Sequence, residues 1–121
     1  KYKCYELVIE YSYNSDNLVT KMVYEDFCYD WIYENGELTT KSFSGIDHGS
    51  TCMYENGLIT KSKGGYVERE RDYEATYRYT FNEFNDWTTC NECCINYDED
   101  NYDLITSIDY YRTIREFTYY N

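Results

Sequence analysis

Cysteine offers the most reactive side chain in this sequence, and its six copies fall into two groups. Cys4, Cys28 and Cys52 are spread evenly, 24 residues apart, whereas Cys90, Cys93 and Cys94 are crowded together. Adjacent Cys93 and Cys94 are poor partners for each other, because a disulfide needs a Cα separation and torsion that strain the peptide between them. Three spread thiols facing three crowded ones therefore predict bonds that tie the first half of the chain to the 90–94 cluster, with several pairings open. Cysteine used this way in a short chain predicts an oxidising compartment, and hence a secreted or extracellular protein. Zinc is the rival use of Cys90-x-x-Cys93, but Cys4, Cys28 and Cys52 supply no second short-spaced pair.

His48 is the single histidine, so any histidine-dependent mechanism rests on it. A Cys-His nucleophile would also need a free thiol, and His48 sits in the small-residue loop Ser44-Gly45-Ile46-Asp47-His48-Gly49-Ser50, where a solvent-facing turn residue is expected. No nucleophile is spaced with a base, so neither a catalytic residue nor a cofactor is expected. Asp98, Asp100 and Asp103 belong to the densest acidic run and are weak calcium candidates. The run lacks the glycine and distal glutamate of an EF-hand loop, which favours a solvated hairpin turn. Tyr97 and Tyr102, set among these acids, resemble sulfation substrates of secretory pathways.

Eleven basic and 23 acidic residues give a net charge of −12. Phosphate binding draws its affinity from Lys and Arg, so nucleic acid is excluded as a partner and a cationic protein is favoured. No apolar stretch approaches the length of a membrane span.

The elements that must position these groups are written as a repeat. Leu18-Val19-Thr20-Lys21, Leu38-Thr39-Thr40-Lys41 and Leu58-Ile59-Thr60-Lys61 each follow a turn, and Tyr13, Tyr33 and Tyr54 precede those turns. Two of the turns contain Asn-Gly, which tolerates the positive φ of a tight hairpin. The expected fold is all-β: an antiparallel hairpin or meander sheet, as a sandwich or open barrel, stapled by disulfides. Residues 1–121 form one domain, with a hairpin-repeat half over 1–65 and a long-strand, cysteine-knot half over 66–121. The opening strand, Tyr5 to Tyr13, alternates as though one face were buried. Alternation from Tyr66 to Asn82 predicts one long bent or projecting strand. Phe84-Asn85-Asp86-Trp87 echoes Phe27-Cys28-Tyr29-Asp30-Trp31, and Leu104-Ile105-Thr106-Ser107 echoes the repeat phrase, so the second half reads as a degraded copy of the first. Ile105 to Tyr120 is expected to be strand.

Tyr33-Glu34-Asn35-Gly36-Glu37-Leu38 and Tyr54-Glu55-Asn56-Gly57-Leu58 resemble the Tyr-x-x-Gly-x-Leu hairpin units of YD/RHS-type repeats, and to a lesser degree MORN-type repeats. The resemblance covers residues 11–65. It implies repetitive β-structure in surface or secreted proteins and brings no catalytic residues.

Repeated hairpins, tyrosine-rich faces and proline-free strand edges together predict a secreted structural protein that self-associates, such as a subunit of a filament or surface layer. The contact surface is expected at Tyr73, Tyr77, Tyr79, Phe81, Phe117, Tyr119 and Tyr120. An acidic, tyrosine-rich module that captures a cationic protein, as an inhibitor or adhesin would, is the alternative.

Overall fold

Turn chemistry sets the topology of this chain. A computed structural model describes residues 5–66, 72–101 and 103–120. Nine strands follow one another: β1 (Ile9–Tyr13), β2 (Val19–Tyr24), β3 (Phe27–Glu34), β4 (Glu37–Ser44), β5 (His48–Glu55), β6 (Leu58–Tyr66), β7 (Tyr73–Phe81), β8 (Trp87–Tyr97) and β9 (Ile105–Ile114). Each pairs antiparallel with its neighbours in sequence, so the nine make one meander sheet in the order β1 to β9. No helix among the described residues is long and apolar enough to cross a membrane.

Five of the hairpins share one local device. Their registers slip at Tyr13, Tyr33, Tyr54, Phe81 and Tyr97, and the residue left over on the returning strand is Thr20, Thr39, Thr60, Thr88 or Thr106. In each case the threonine hydroxyl donates to a backbone carbonyl across the hairpin, that of Ser12, Ile32, Met53, Thr80 or Asn96, at 3.2–3.3 Å. A bulge leaves one residue unpaired in the ladder, and the hydroxyl supplies an anchor there. The same local geometry thus recurs in both halves, in β7–β8 and β8–β9 as well as in the first three bulged hairpins. The Phe84 to Trp87 echo does not recur: Phe27 to Trp31 lies within β3, whereas Phe84 and Asn85 lie in a turn.

The bulges also correct the alignment of the repeat phrases. Thr39, not Thr40, occupies the place of Thr20 and Thr60, so the second phrase is displaced by one residue. A one-residue slip moves side chains to the other face of a sheet. Lys41 consequently shares a face with Trp31 and Cys52, while Lys21 pairs with Asp30 and Lys61 with Thr76 on the opposite face.

Four of the turns fall into two kinds. Asn35-Gly36 and Asn56-Gly57 have matching positive φ values, 52° and 78°, then 51° and 78°, as a tight hairpin demands. Asn14 and Asn82 instead open longer turns, and each side-chain oxygen accepts two backbone N–H groups: from Asp16 and Leu18, and from Phe84 and Asp86. Asn17 and Asn85 complete these turns at φ 62° and 65°. Two sequences that share only their asparagines thus build one loop.

One face of the sheet carries the rings. Tyr11, Met22, Tyr29, Phe43, Ser50, Gly64, Tyr73 and Asn96 form one register row on that face, and Trp31, Lys41, Cys52, Ser62, Ala75, Cys94 and Asp109 form the next. The other face is mostly polar, with Asp30, Ser42, Thr51, Lys63 and Glu74 in line. Ala75 and Ser62, at 3% and 8% exposure, and Gly64 are the buried residues among those described, so the centre of the sheet is its core. Gly64 makes room there: a Cβ would lie 2.9 Å from the Gly49 carbonyl oxygen and 3.0 Å from the Tyr73 ring.

Several expectations are corrected. The opening segment forms strand only from Ile9, and all five residues of β1 are exposed because no element covers them. The single long strand after Tyr66 does not exist: Gly64 pairs with Tyr73, so the chain reverses between β6 and β7. Alternation through Glu68, Arg69, Glu70, Arg71 and Asp72 was alternation of charges, which marks no buried face; residues 67–71 lie outside the described set. The terminal segment is strand to Ile114 and irregular from Arg115 to Tyr120. His48 opens β5 instead of sitting in a loop.

The expected staples are also absent. Cys28, Cys52, Cys90, Cys93 and Cys94 are free thiols, and Cys4 lies outside the described residues. Cys28 is on β3 and Cys52 on β5, five and three strand positions from the cluster on β8. At about 4.8 Å per strand these gaps are roughly 24 and 14 Å, whereas a disulfide needs Cα atoms within about 7 Å.

Candidate functional site

Alternation along β3 sends Phe27, Tyr29, Trp31 and Tyr33 to the ring-bearing face and Cys28, Asp30 and Ile32 to the other. The rings continue across strands: Tyr24 stacks near Phe27, Phe27 near Phe43, Phe43 against Tyr29 at 4.9 Å, and Tyr29 near Trp31 at 5.9 Å. The slipped Lys41 lies over this row, its ammonium 5.8 Å from the centres of both Tyr29 and Trp31. That is within cation-π range.

A second cluster is centred on β7. Tyr73, Tyr77 and Tyr79 flank buried Ala75 on the same face and are half-buried. The Tyr79 hydroxyl donates to the Ile59 carbonyl at 2.8 Å, and Tyr77 meets the Ser62 hydroxyl at 3.4 Å. Burial pushes both phenols up to about 12; Glu92 adds to the shift at Tyr77, and Cys90 to that at Tyr79. Burial raises Tyr73 as well. These rings favour the protonated phenol, and Tyr79 donates its proton in the hydrogen bond to the Ile59 carbonyl.

Beside them runs a groove of about 660 Å³ lined by Leu58, Thr60, Tyr77, Tyr79, Trp87 and Arg115, among others. Trp87 meets Tyr79 edge-on at 5.7 Å. Arg115 is fixed by its N–H, which donates to the Thr88 carbonyl at 2.8 Å, and its guanidinium lies 4.0 Å above the Trp87 ring and 4.6 Å from that of Phe117. Phe117 stacks near Tyr119, and Tyr119 packs on Phe84 at 4.4 Å. The Tyr119 hydroxyl donates to Asp86 at 2.5 Å and accepts from the Asn82 amide at 2.9 Å. The carboxylate bond raises the Tyr119 pKa.

The expected surface residues therefore have different fates. Phe81, Phe117 and Tyr119 gather around the β7–β8 turn; Tyr77 and Tyr79 contribute to the groove but are committed to internal bonds; Tyr73 packs near Gly64. Only Tyr120 of the set is almost wholly exposed, at 90%. Sequence reasoning missed Lys41, Trp87 and Arg115. Trp87 was detectable, because Asn82-Glu83-Phe84-Asn85 repeats the asparagine spacing of Asn14-Ser15-Asp16-Asn17, and both stretches precede a bulged threonine.

The reactive groups do not converge. His48 Nδ1 lies 2.7 Å from Asp47, and its ring packs on Tyr66 at 4.3 Å. Burial, then Glu92, Asp109 and Cys93, raises the Cys94 thiol pKa, and burial with Asp30 raises that of Cys28, so both resist forming the nucleophilic thiolate. Asp98 accepts the N–H groups of Asp100 and Asn101 at 2.8 and 3.1 Å, while Asn101 accepts that of Asp103. This run is the β8–β9 hairpin turn, and no group of three or more potential metal ligands assembles among the described residues. What the face offers is ring area, phenol donors and two stacked cations.

The chain matches no protein-family model and no curated protein sequence.

Proposed function

We propose that this chain is a secreted or extracellular structural protein that works by associating with further copies, as a subunit of a filament or surface layer. One observation carries the reading: a nine-stranded sheet, one layer thick, buries only Ser62, Gly64 and Ala75 among its described residues. Leu7, Ile9, Phe81, Ile108, Tyr110 and Ile114 remain largely exposed. They are spread over both faces and both ends of the sheet, and exposed apolar surface on this scale favours contact with other chains. A second copy laid on the ring-bearing face would supply the missing layer of a sandwich.

The rival, capture of a cationic protein, is favoured by the charge of −12. Salt separates the two readings. Repulsion between identical acidic copies is screened by salt, so self-association should strengthen as salt rises, whereas binding to a basic partner should weaken. Light scattering between about 20 mM and about 500 mM salt, spanning Debye lengths well above and well below 10 Å, reads the difference. A protein that remains monomeric throughout and binds a cationic protein tightly at low salt defeats the assembly reading.

A further inference from the structure

β9 departs from the polarity of the sheet it ends. On every strand from β3 to β7 the aromatic rings project from one face; on β9 that face receives Ser107, Asp109, Tyr111 and Thr113. Ile108, Tyr110 and Ile114 project from the opposite face, beside Ile95 of β8. All ten residues of the strand are exposed. The Arg115 N–H bonds to Thr88 across the β8–β9 ladder. Because bonding alternates along an antiparallel pair, the odd residues 109, 111 and 113 turn their backbone groups toward β8. The N–H and C=O groups of Ile108, Tyr110, Arg112 and Ile114 then point away from the sheet, as an open edge.

Parity restricts what can add there. Nine strands that alternate in direction leave β1 and β9 running the same way, so a translated copy could meet β9 only through a parallel β1. An antiparallel ladder that keeps the ring-bearing faces continuous requires β9 of a copy turned through a two-fold axis normal to the sheet. Charge favours the same edge. β1 carries Glu10 with no basic residue, so two copies of it repel, whereas Asp109 and Arg112 leave β9 with no net charge on a chain of −12.

We infer that β9 is a two-fold interface between copies of this chain, centred on Tyr111 facing its symmetry mate. This deepens the assembly reading and rests on it. The register opposes Ile108 to Ile114, Tyr110 to Arg112 and Asp109 to Thr113 of the other copy. Only the outward-pointing even residues form the new ladder, giving about eight main-chain hydrogen bonds. Apolar side chains meet apolar side chains on one face, and Arg112, whose Nε donates to Asn91 at 2.9 Å, keeps its other N–H groups and its cationic plane for Tyr110. Centring instead on Tyr110 would set Ile108 against Arg112.

Sedimentation velocity over a concentration series tests the interface. Tyr110→Pro and Arg112→Pro each remove an N–H used only between copies, a position at which an edge strand accepts proline. Both should stay folded by circular dichroism and weaken association by about tenfold or more. Ile108→Asp or Ile114→Lys alone should weaken it similarly, and the double variant should recover most of the loss, since the register brings the two new charges together. Association that survives both proline variants, or a double variant no better than the singles, overturns the β9 interface while leaving assembly standing. A wild-type chain that stays monomeric at every concentration and salt overturns both.

Discussion

β7 and β9 lie on either side of β8, carry similar numbers of tyrosines, and end in opposite conditions. On β7 the inward set Tyr73, Ala75, Tyr77 and Tyr79 is half or wholly buried; on β9 every residue is exposed. Composition does not separate them. β7 is flanked by β6, whose Ser62 and Gly64 are small enough for tyrosine rings to lie across them, and by β8 on the other side. β9 has one neighbour. In a sheet without a second layer, burial comes from lateral neighbours, so a strand's place in the order decides what its side chains do.

The largest effect that would break this contrast is at Gly64. Gly64→Val places a branched side chain within 3.0 Å of backbone and ring, and should destabilise folding by about 3 kcal/mol, the upper range for overpacking. An unchanged denaturation midpoint would mean that β6 and β7 do not form the core. Gly36→Val and Gly57→Val, each at φ 78°, should cost more than about 1 kcal/mol and do so equally, since the two turns superpose. Tyr79→Phe removes the bond to the Ile59 carbonyl and should cost about 1 kcal/mol. On the edge, Ile114→Lys should change the stability of the dilute monomer by less than about 0.5 kcal/mol. A larger loss would show that β9 is packed after all.

Titration gives a test that needs no mutation first. Tyr77 and Tyr79 have folded pKa values of about 12 against an ordinary 10, so between those limits the unfolded chain releases protons that the folded chain keeps. Stability should therefore be constant below pH 10 on their account and fall as pH rises toward 12. Phenolate absorbance should show a late component that unfolding moves to lower pH. The Tyr77→Phe, Tyr79→Phe double variant should lose the latest part of it, leaving the smaller upward shifts of Tyr73 and Tyr119; an unchanged late component would assign it elsewhere.

Much of this was legible where the signal was local. Asn-Gly with its preceding tyrosine announced two hairpins, and the expected arms of the first of them, Trp31 to Tyr33 and Leu38 to Phe43, fall within β3 and β4, although β3 starts earlier, at Phe27. What failed depended on register or on distance. The Leu-x-Thr-Lys phrases align by letter, but the threonine that matters in the second is Thr39, because a bulge counts residues from the turn and not from leucine. Lys41 therefore changed face, and its place over Trp31 was invisible. The cysteine pairing failed for a different reason: separation in sequence says nothing about strand order, and a meander keeps β3 and β5 far from β8. The reversal after Tyr66 was hidden because its charged residues alternate as a strand would.

The meander carries one further consequence. Every strand packs only on the strands before and after it in the chain, so the sheet behaves as a one-dimensional stack of hairpins whose stability accumulates by nearest-neighbour contacts. Among the described residues no contact closes it, and its count of nine follows only from the number of hairpins. Excising β3–β4 with its turn would leave β2 and β5 with the same relative directions, free to meet. The chain is in this sense a length of ribbon, set by how many times the hairpin is written, and it should shorten or lengthen by whole hairpins while keeping its two faces and its outer edge.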